Sequence, residues 1–394
     1  MNDQAARQLR RVLAAAVADP VTGAPLVDQQ LQDDGGDRLS RAATGHGVAP
    51  RVWQAVVVAG RAGDPAAAAL SQEARRAALQ HARALADLRA VAAVLEPLGV
   101  VPTVVKGPAL AELVYRQPGQ RSYDDLDVLV APAELGTALA ALEEAGFVLL
   151  DRNWPEMRRL LVGQVRLRTP SGGVLDLHWH LINEVRLRSF FDLARSRWLS
   201  GLTAAEIGGV PVTVLDPAST LVHVALHAAL SGGHRLVWLQ DLAELAAHPD
   251  LDWNAVTALA ATTRTGLPVG VMLARSRRVL DVPVPTQVLR QLVPAPGWRS
   301  LAAATDRVSP LPSIRPGAGS LAQMVARSSR VDVGSSAREL ARRAGSWSRH
   351  GSRVEARTAA RLFDGTDPAS MSFAAGGALS RRAYLQAVTA ENRR

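Results

Sequence analysis

Cysteine is absent from the chain, and lysine occurs once, at Lys106. The first absence excludes disulfides, thiolate metal sites and cysteine nucleophiles, and it fits a cytoplasmic location. The second is harder to explain, because lysine and arginine together number 45, so every other cationic position is arginine. Aromatic residues are also scarce, at 4%. With so many alanines, that scarcity predicts a largely helical chain whose core is built from Ala, Leu and Val. No apolar run approaches the roughly 18 residues that a membrane helix requires. The longest candidates are broken by Glu96, Pro97 and Pro102, which predicts no membrane insertion. The opening "RQLRRVLAAAVADP" has the charge order of a signal peptide, but its apolar stretch is short and ends at Asp19-Pro20, so it reads as an amphipathic helix.

The chain has 394 residues, 48% of them hydrophobic, enough for two or three folded units with a sizeable core. Its net charge of +9 sits almost entirely in one place: Asp306 to Arg394 holds 15 arginines against 7 acids. Such a tail predicts at most weak contact with nucleic acid, an acidic partner or a membrane surface, and otherwise a solvated, partly disordered end.

Periodicity predicts a long helix over residues 65–96, which leads into a region of different character. There "VVPTVV" reads as a buried strand, "GPALAELVY" as a helix opened by glycine and proline, and "DLDVLV" as a second strand. "PAELGTALAALEEAG" is a helix stopped by Gly146, and "FVLL" follows it. "GQVRLRT" and "GGVLDLHWHL" form a hairpin across "PSGG". "VPVTVL" is one more short strand, and Asp216-Pro217 caps a helix that runs to about Ser231. Further helical patterns cover 236–247, 252–263 and 268–280, and "SPLPSIRPGAGS" marks a linker. The predicted fold class is α+β: a leading helical region (1–98), a small mixed β-sheet core (99–200), an α-helical domain (201–305) and a basic, partly disordered Arg-rich tail (306–394).

Lys106 ends the β-branched run "TVV" and abuts Gly107, which is not where a solvated surface cation belongs. Lysine presents a compact point charge that reaches a single phosphate oxygen, whereas arginine presents a wide planar fork. Downstream, Asp125 and Asp127 alternate on a predicted strand. Their backbones would stand about 6–7 Å apart, with both carboxylates on one face, where they can share a divalent cation. The competing reading is that they begin an exposed strand or answer Arg121. Asp176, His178 and His180 alternate in "LDLHWHL". If that strand lies beside "DLDVLV", Asp176 completes an oxygen-rich cluster of the kind magnesium prefers. His178 then either binds the acceptor or assists proton transfer, or serves the structure alone. Gly107 at a helix start, with Lys106, Arg121 and Ser122, would suit a triphosphate. His223 and His227 share a helix face as two metal ligands do, but no H-E-x-x-H is formed, so packing is the preferred role. Asp241 could pair with one of these histidines or with Arg235, or lie at the surface.

The ordered set "VVKGPALAELVYRQPGQRSYDDLDVLV", "VLDLHWHL" and "LVHVALHAALSGGHRLVWLQDLAEL" resembles the uncharacterised nucleotidyltransferase family of the DNA polymerase β-type nucleotidyltransferase superfamily, over about residues 80–247. The resemblance implies that Asp125, Asp127 and Asp176 hold Mg2+, with Mn2+ as an alternative. It also implies that Lys106, Gly107, Arg121 and Ser122 engage the phosphates of an NTP. Gly107-Pro108 departs from the Gly-Gly or Gly-Ser of many superfamily members and removes a second small residue from the phosphate turn.

A P-loop is excluded because Gly107-Pro108, not Ser or Thr, follows the sole lysine. No G-x-S-x-G elbow or kinase signature occurs. The expected activity is Mg-dependent transfer of an NMP group from an NTP to a hydroxyl or phosphate, releasing pyrophosphate. The acceptor could be a small molecule, a peptide, a protein or tRNA. The alternatives are a non-catalytic nucleotide- or partner-binding module and a γ-phosphoryl transferase.

Overall fold

The structure, a computed structural model, describes residues 3–33, 36–193, 201–308, 320–350 and 374–391. The linker and much of the basic tail therefore lie outside the described residues. The chain forms two compact units, and neither is continuous in sequence. One gathers Met1–His81, Leu110–Tyr123 and Pro217–Ser348; the other gathers Ala82–Ala109, Asp124–Asp216 and Arg349–Arg394. The long helix expected over 65–96 is present as Ala68–Leu95 and contributes to both units.

The second unit contains a seven-stranded mixed sheet. In chain order its strands are β1 (Thr103–Val105), β2 (Leu126–Leu129), β3 (Val148–Leu149), β4 (Gln164–Arg168), β5 (Val174–His178), β6 (Leu202–Ile207) and β7 (Val210–Leu215). Their spatial order is β3-β4-β5-β2-β1-β7-β6. β2 runs antiparallel to β1 and parallel to β5, while β4 and β5 form the antiparallel hairpin expected across "PSGG". Gly172 supplies the left-handed turn, at φ 85°, and the Gly173 N–H donates to Thr169 Oγ1 at 2.8 Å. The sheet does not stop near residue 200. The hairpin β6–β7 adds two strands beside β1 from the stretch that the sequence assigned to the helical domain.

Alternation fixes which face of each strand is apolar. Leu126 and Val128 of β2 and Leu175 and Leu177 of β5 are buried together with Leu88, Val91, Leu139 and Met157. The intervening residues Asp127, Asp176 and His178 must then emerge on the opposite face. Part of the Arg-rich tail completes this core. The helix Ala374–Glu391 buries Tyr384 and Val388 fully. The Tyr384 hydroxyl donates to Val162 O at 2.7 Å and accepts from Trp179 Nε1 at 2.9 Å. Arg381, one of the tail's cations, pairs with Glu143.

The first unit is helical. Asp19 accepts hydrogen bonds from Val21 N and Thr22 N and so caps the helix Pro20–Gln32, which has proline in its first turn. Gly23 lets that helix approach Asp3–Ala18, because a Cβ there would lie 2.5 Å from the Ala16 Cα. The helices Pro217–Ser231, Leu236–Ala246, Trp253–Thr262 and Gly266–Leu280 follow the sequence expectation closely. Arg275 is buried and donates to Gly232 O, Gly233 O, Ala322 O and Asp306, which ties this group to the tail helix Leu321–Ser328. Arg330, also from the tail, is buried and pairs with Glu339. Much of the positive charge described in the tail is thus engaged internally. Among the described residues no helix is long and apolar enough to cross a membrane.

Truncating the tail helix's central anchor, Tyr384→Ala, is expected to destabilise the sheet unit by about 3–5 kcal/mol. Urea denaturation followed by tryptophan fluorescence measures the shift in midpoint.

Candidate active site

β2 and β5 pair in parallel with Asp127 opposite Asp176 and Leu129 opposite His178, so the two strands adjoin as the argument for Asp176 required. On the other side Val105 of β1 is opposite Asp127, which brings the next residue, Lys106, to the same end of the sheet. Lys106 Nζ lies 2.7 Å from Asp127 Oδ1, and His178 Nε2 lies 2.8 Å from the same oxygen. Asp127, Asp176 and His178 are all buried, and each offers a ligand atom within 4.8 Å of the others.

Lys106 adopts a left-handed backbone conformation, φ 54°, whereas Gly107 becomes the first residue of the helix Gly107–Leu113. A side-chain-bearing residue in that region costs about 1–2 kcal/mol, and such strain is characteristic of functional positions. The left-handed position is the lysine's and not that of the glycine beside it.

The three carboxylates differ in character. Burial pushes the Asp125 carboxyl up to about 6, and the charges of Asp127 and Asp176 add to the effect. Asp176 is likewise raised, by burial first. Burial acts the same way on Asp127, but the ammonium of Lys106 and the hydrogen bond from His178 outweigh it and hold this carboxyl well below the usual range. Lys106 is held above its ordinary value in turn, because Asp127 and Asp125 overcome its own desolvation. Like charges crowded in a sheet thus separate into one firmly ionised acid and two that bind protons more readily.

Asp125 precedes β2 instead of lying within it, so the tight ligand group takes His178 where the sequence expected Asp125. Two further residues hold Asp176 and were not anticipated: Gln164 Nε2 donates to Oδ2 at 2.6 Å and Arg166 Nε donates to Oδ1 at 3.2 Å. Both lie on β4, and their alternation in "GQVRLR" was the available signal. Asp151, buried and pushed up to about 6 by desolvation, accepts from the Arg166 N–H at 3.0 Å and supports the same strand. The donor set itself fits a hard divalent cation, since it offers carboxylate oxygens with one imidazole.

A model of the uncharacterised nucleotidyltransferase family matches residues 33–281, a span that includes every one of these side chains. The chain belongs to that family. Among curated proteins nothing matches it. A solved structure of an antigenic nucleotidyltransferase-like protein from Paracoccidioides brasiliensis is similar at 16% identity and a TM-score of 0.33, over 52% of this chain and 95% of that one.

Other residues nominated from the sequence have different places in this nucleotidyltransferase-family chain. Arg121, expected to bind phosphate, is 6% exposed and belongs to the helical unit. Its Nε and Nη2 donate to the two oxygens of Asp241 at 2.7 and 2.9 Å, and Tyr115 donates to Asp241 Oδ1 at 2.6 Å. A buried guanidinium in a bidentate pair is an anchor within its unit, and Asp241 pairs with Arg121 where the sequence offered a histidine or Arg235. Ser122 is half-buried beside it in the same unit. His180 lies past the end of β5, where its Nδ1 accepts from Ile182 N at 2.9 Å. Burial, with Arg188 nearby, lowers it to about 3, so it is a neutral turn residue outside the ligand group. His223 is buried in the helix Pro217–Ser231, and His227 meets the Trp238 ring edge-on at 5.9 Å. Neither belongs to a metal-ligand group among the described residues.

Two stability measurements separate these roles. In EDTA at pH 8, Asp125→Asn removes a carboxylate that is ionised at a cost, a cost that appears as pH rises from about 4 through 6. The variant is therefore expected to gain about 2 kcal/mol. Asp127→Asn removes an acid whose ionised form is stabilising at that pH and leaves Lys106 without its partner, for an expected loss of about 3 kcal/mol. Thermal unfolding by circular dichroism reads both. In the helical unit, Arg121→Met and Asp241→Asn are each expected to lower stability by about 3 kcal/mol with no nucleotide present. A role for Arg121 confined to phosphate would leave that melting curve unchanged.

Proposed function

We propose that this family member is a divalent-metal-dependent nucleotidyltransferase that moves an NMP group from an NTP to a hydroxyl or phosphate acceptor, releasing pyrophosphate. The observation that carries the reading is the convergence of Lys106, Asp127, Asp176 and His178 at one end of β1, β2 and β5. Family membership supports it. A cation bound by Asp127 and Asp176, with Asp125 adjoining, would be Mg2+ or Mn2+, and it would supply charge neutralisation on the triphosphate and Lewis-acid activation of the α-phosphoryl group.

The chain's own residues do the rest. Lys106 binds triphosphate oxygens as a point charge at the start of the helix Gly107–Leu113. His178 fixes the rotamer of Asp127 through its 2.8 Å contact. Gln164 and Arg166 hold Asp176 toward the acceptor, where its raised proton affinity suits it to take the acceptor's proton. The acceptor oxygen bonds to the α-phosphorus, the bond from that phosphorus to the bridging β-oxygen breaks, and pyrophosphate carries the electron pair away. The acceptor is unidentified, and the classes that could offer such a hydroxyl or phosphate are a small metabolite, a peptide, a protein and tRNA.

Incubation with magnesium, cell extract and NTPs labelled at the α- or γ-phosphate tests the proposal. α-Label is expected in a product, reduced on the order of 100-fold or more in Asp125→Asn and Asp127→Asn. γ-Label in the product would mean phosphoryl transfer, and binding without turnover would mean a nucleotide-sensing module.

A further inference from the structure

Asp127 Oδ1 accepts from two donors at once, Lys106 Nζ at 2.7 Å and His178 Nε2 at 2.8 Å. A carboxylate oxygen has two lone-pair sites, so this one has none left for a cation. Both oxygens of Asp176 also carry donors, from Gln164 and Arg166. Asp127 Oδ1, the oxygen at the centre of the group, is therefore filled by the chain's own side chains, and a cation that binds through this oxygen must displace one of them.

Lys106 is the donor best able to leave. Its side chain is 17% exposed and ends a flexible four-carbon stem, whereas His178 is 7% exposed and carried on β5. Its φ of 54° starts that stem at the junction of β1 and the following helix, and the side chain extends from there to the acids. A fork-shaped guanidinium could not make this exchange between single oxygens as readily, which accounts for the one lysine in a chain that otherwise uses arginine.

We propose that Lys106 is an exchangeable counter-ion: its ammonium neutralises Asp127 until a divalent cation arrives with a triphosphate, and then moves from the carboxylate to the triphosphate. The inference rests on the nucleotidyl-transfer reading and adds the order of binding to it. A cation arriving alone evicts an ammonium that has no anion to receive it. A cation arriving with a triphosphate brings that anion along. Metal and triphosphate are thereby coupled through one side chain, and the coupling is reciprocal.

Two affinities measured on the full chain test this. Free Mn2+ is titrated and followed by electron paramagnetic resonance, and Mn2+-tripolyphosphate, the anion common to every NTP, is titrated by calorimetry. In Lys106→Met the affinity for Mn2+ alone is expected to rise on the order of tenfold, while that for Mn2+-tripolyphosphate falls by a similar factor. Lys106→Gln, a neutral donor of comparable length, should reproduce the opposed shifts and serves if the first variant fails to fold by circular dichroism. Asp127→Asn should lose Mn2+ binding. If both affinities fall in the lysine variants, or if either fails to move, Lys106 is not the exchanging group although the metal site stands. If no variant binds Mn2+ in either form, the nucleotidyl-transfer reading falls together with the inference.

Discussion

Parallel pairing of β2 with β5 sets Asp127 beside Asp176 in a buried sheet, where two bare carboxylates could not both stay ionised. Everything around them answers that crowding. Lys106 and His178 gather on one acid, Gln164 and Arg166 on the other, and Asp125 takes up a proton more readily because it is buried and stands near the charges of Asp127 and Asp176. The apolar faces of the same strands make the crowding unavoidable. With Leu126, Val128, Leu175 and Leu177 committed to the core, a shift of one residue would bury the acids in hydrocarbon. The register that builds the core therefore also builds the site.

The acids were legible in the sequence because alternation on a strand is a local rule. Asp127, Asp176 and His178 share a face for the same reason that Leu126 and Leu175 share the other, and the lone lysine among arginines marked the neighbouring position. What the sequence did not reveal depends on partners distant in the chain. Arg121 and Asp241 are separated by 120 residues, and nothing local distinguishes a guanidinium bound for a buried carboxylate from one bound for a phosphate. Beyond their alternation, Gln164 and Arg166 carry no mark of a site in the sequence of their strand, and only the pairing of β4 with β5 brings them to Asp176. The left-handed turn at Lys106 was concealed by the glycine beside it, the residue that ordinarily takes such a conformation. The tail showed the limit of composition most clearly: few large apolar residues suggested little order, yet Tyr384 and Val388 sufficed to seat a helix.

That helix links parts of the chain that lie far apart. Tyr384 closes on Val162 across 222 positions, and Trp179 depends on the same hydroxyl. Contacts of such long range are made late and slowly, after the entropy of closing the intervening loop has been met. On a ribosome, the strands carrying the acids would emerge well before the residue that caps them, and the helical stretch between would have to fold first or wait. The sheet would spend that interval with an uncovered apolar face, the state in which a nascent chain is most prone to aggregate and most in need of a chaperone.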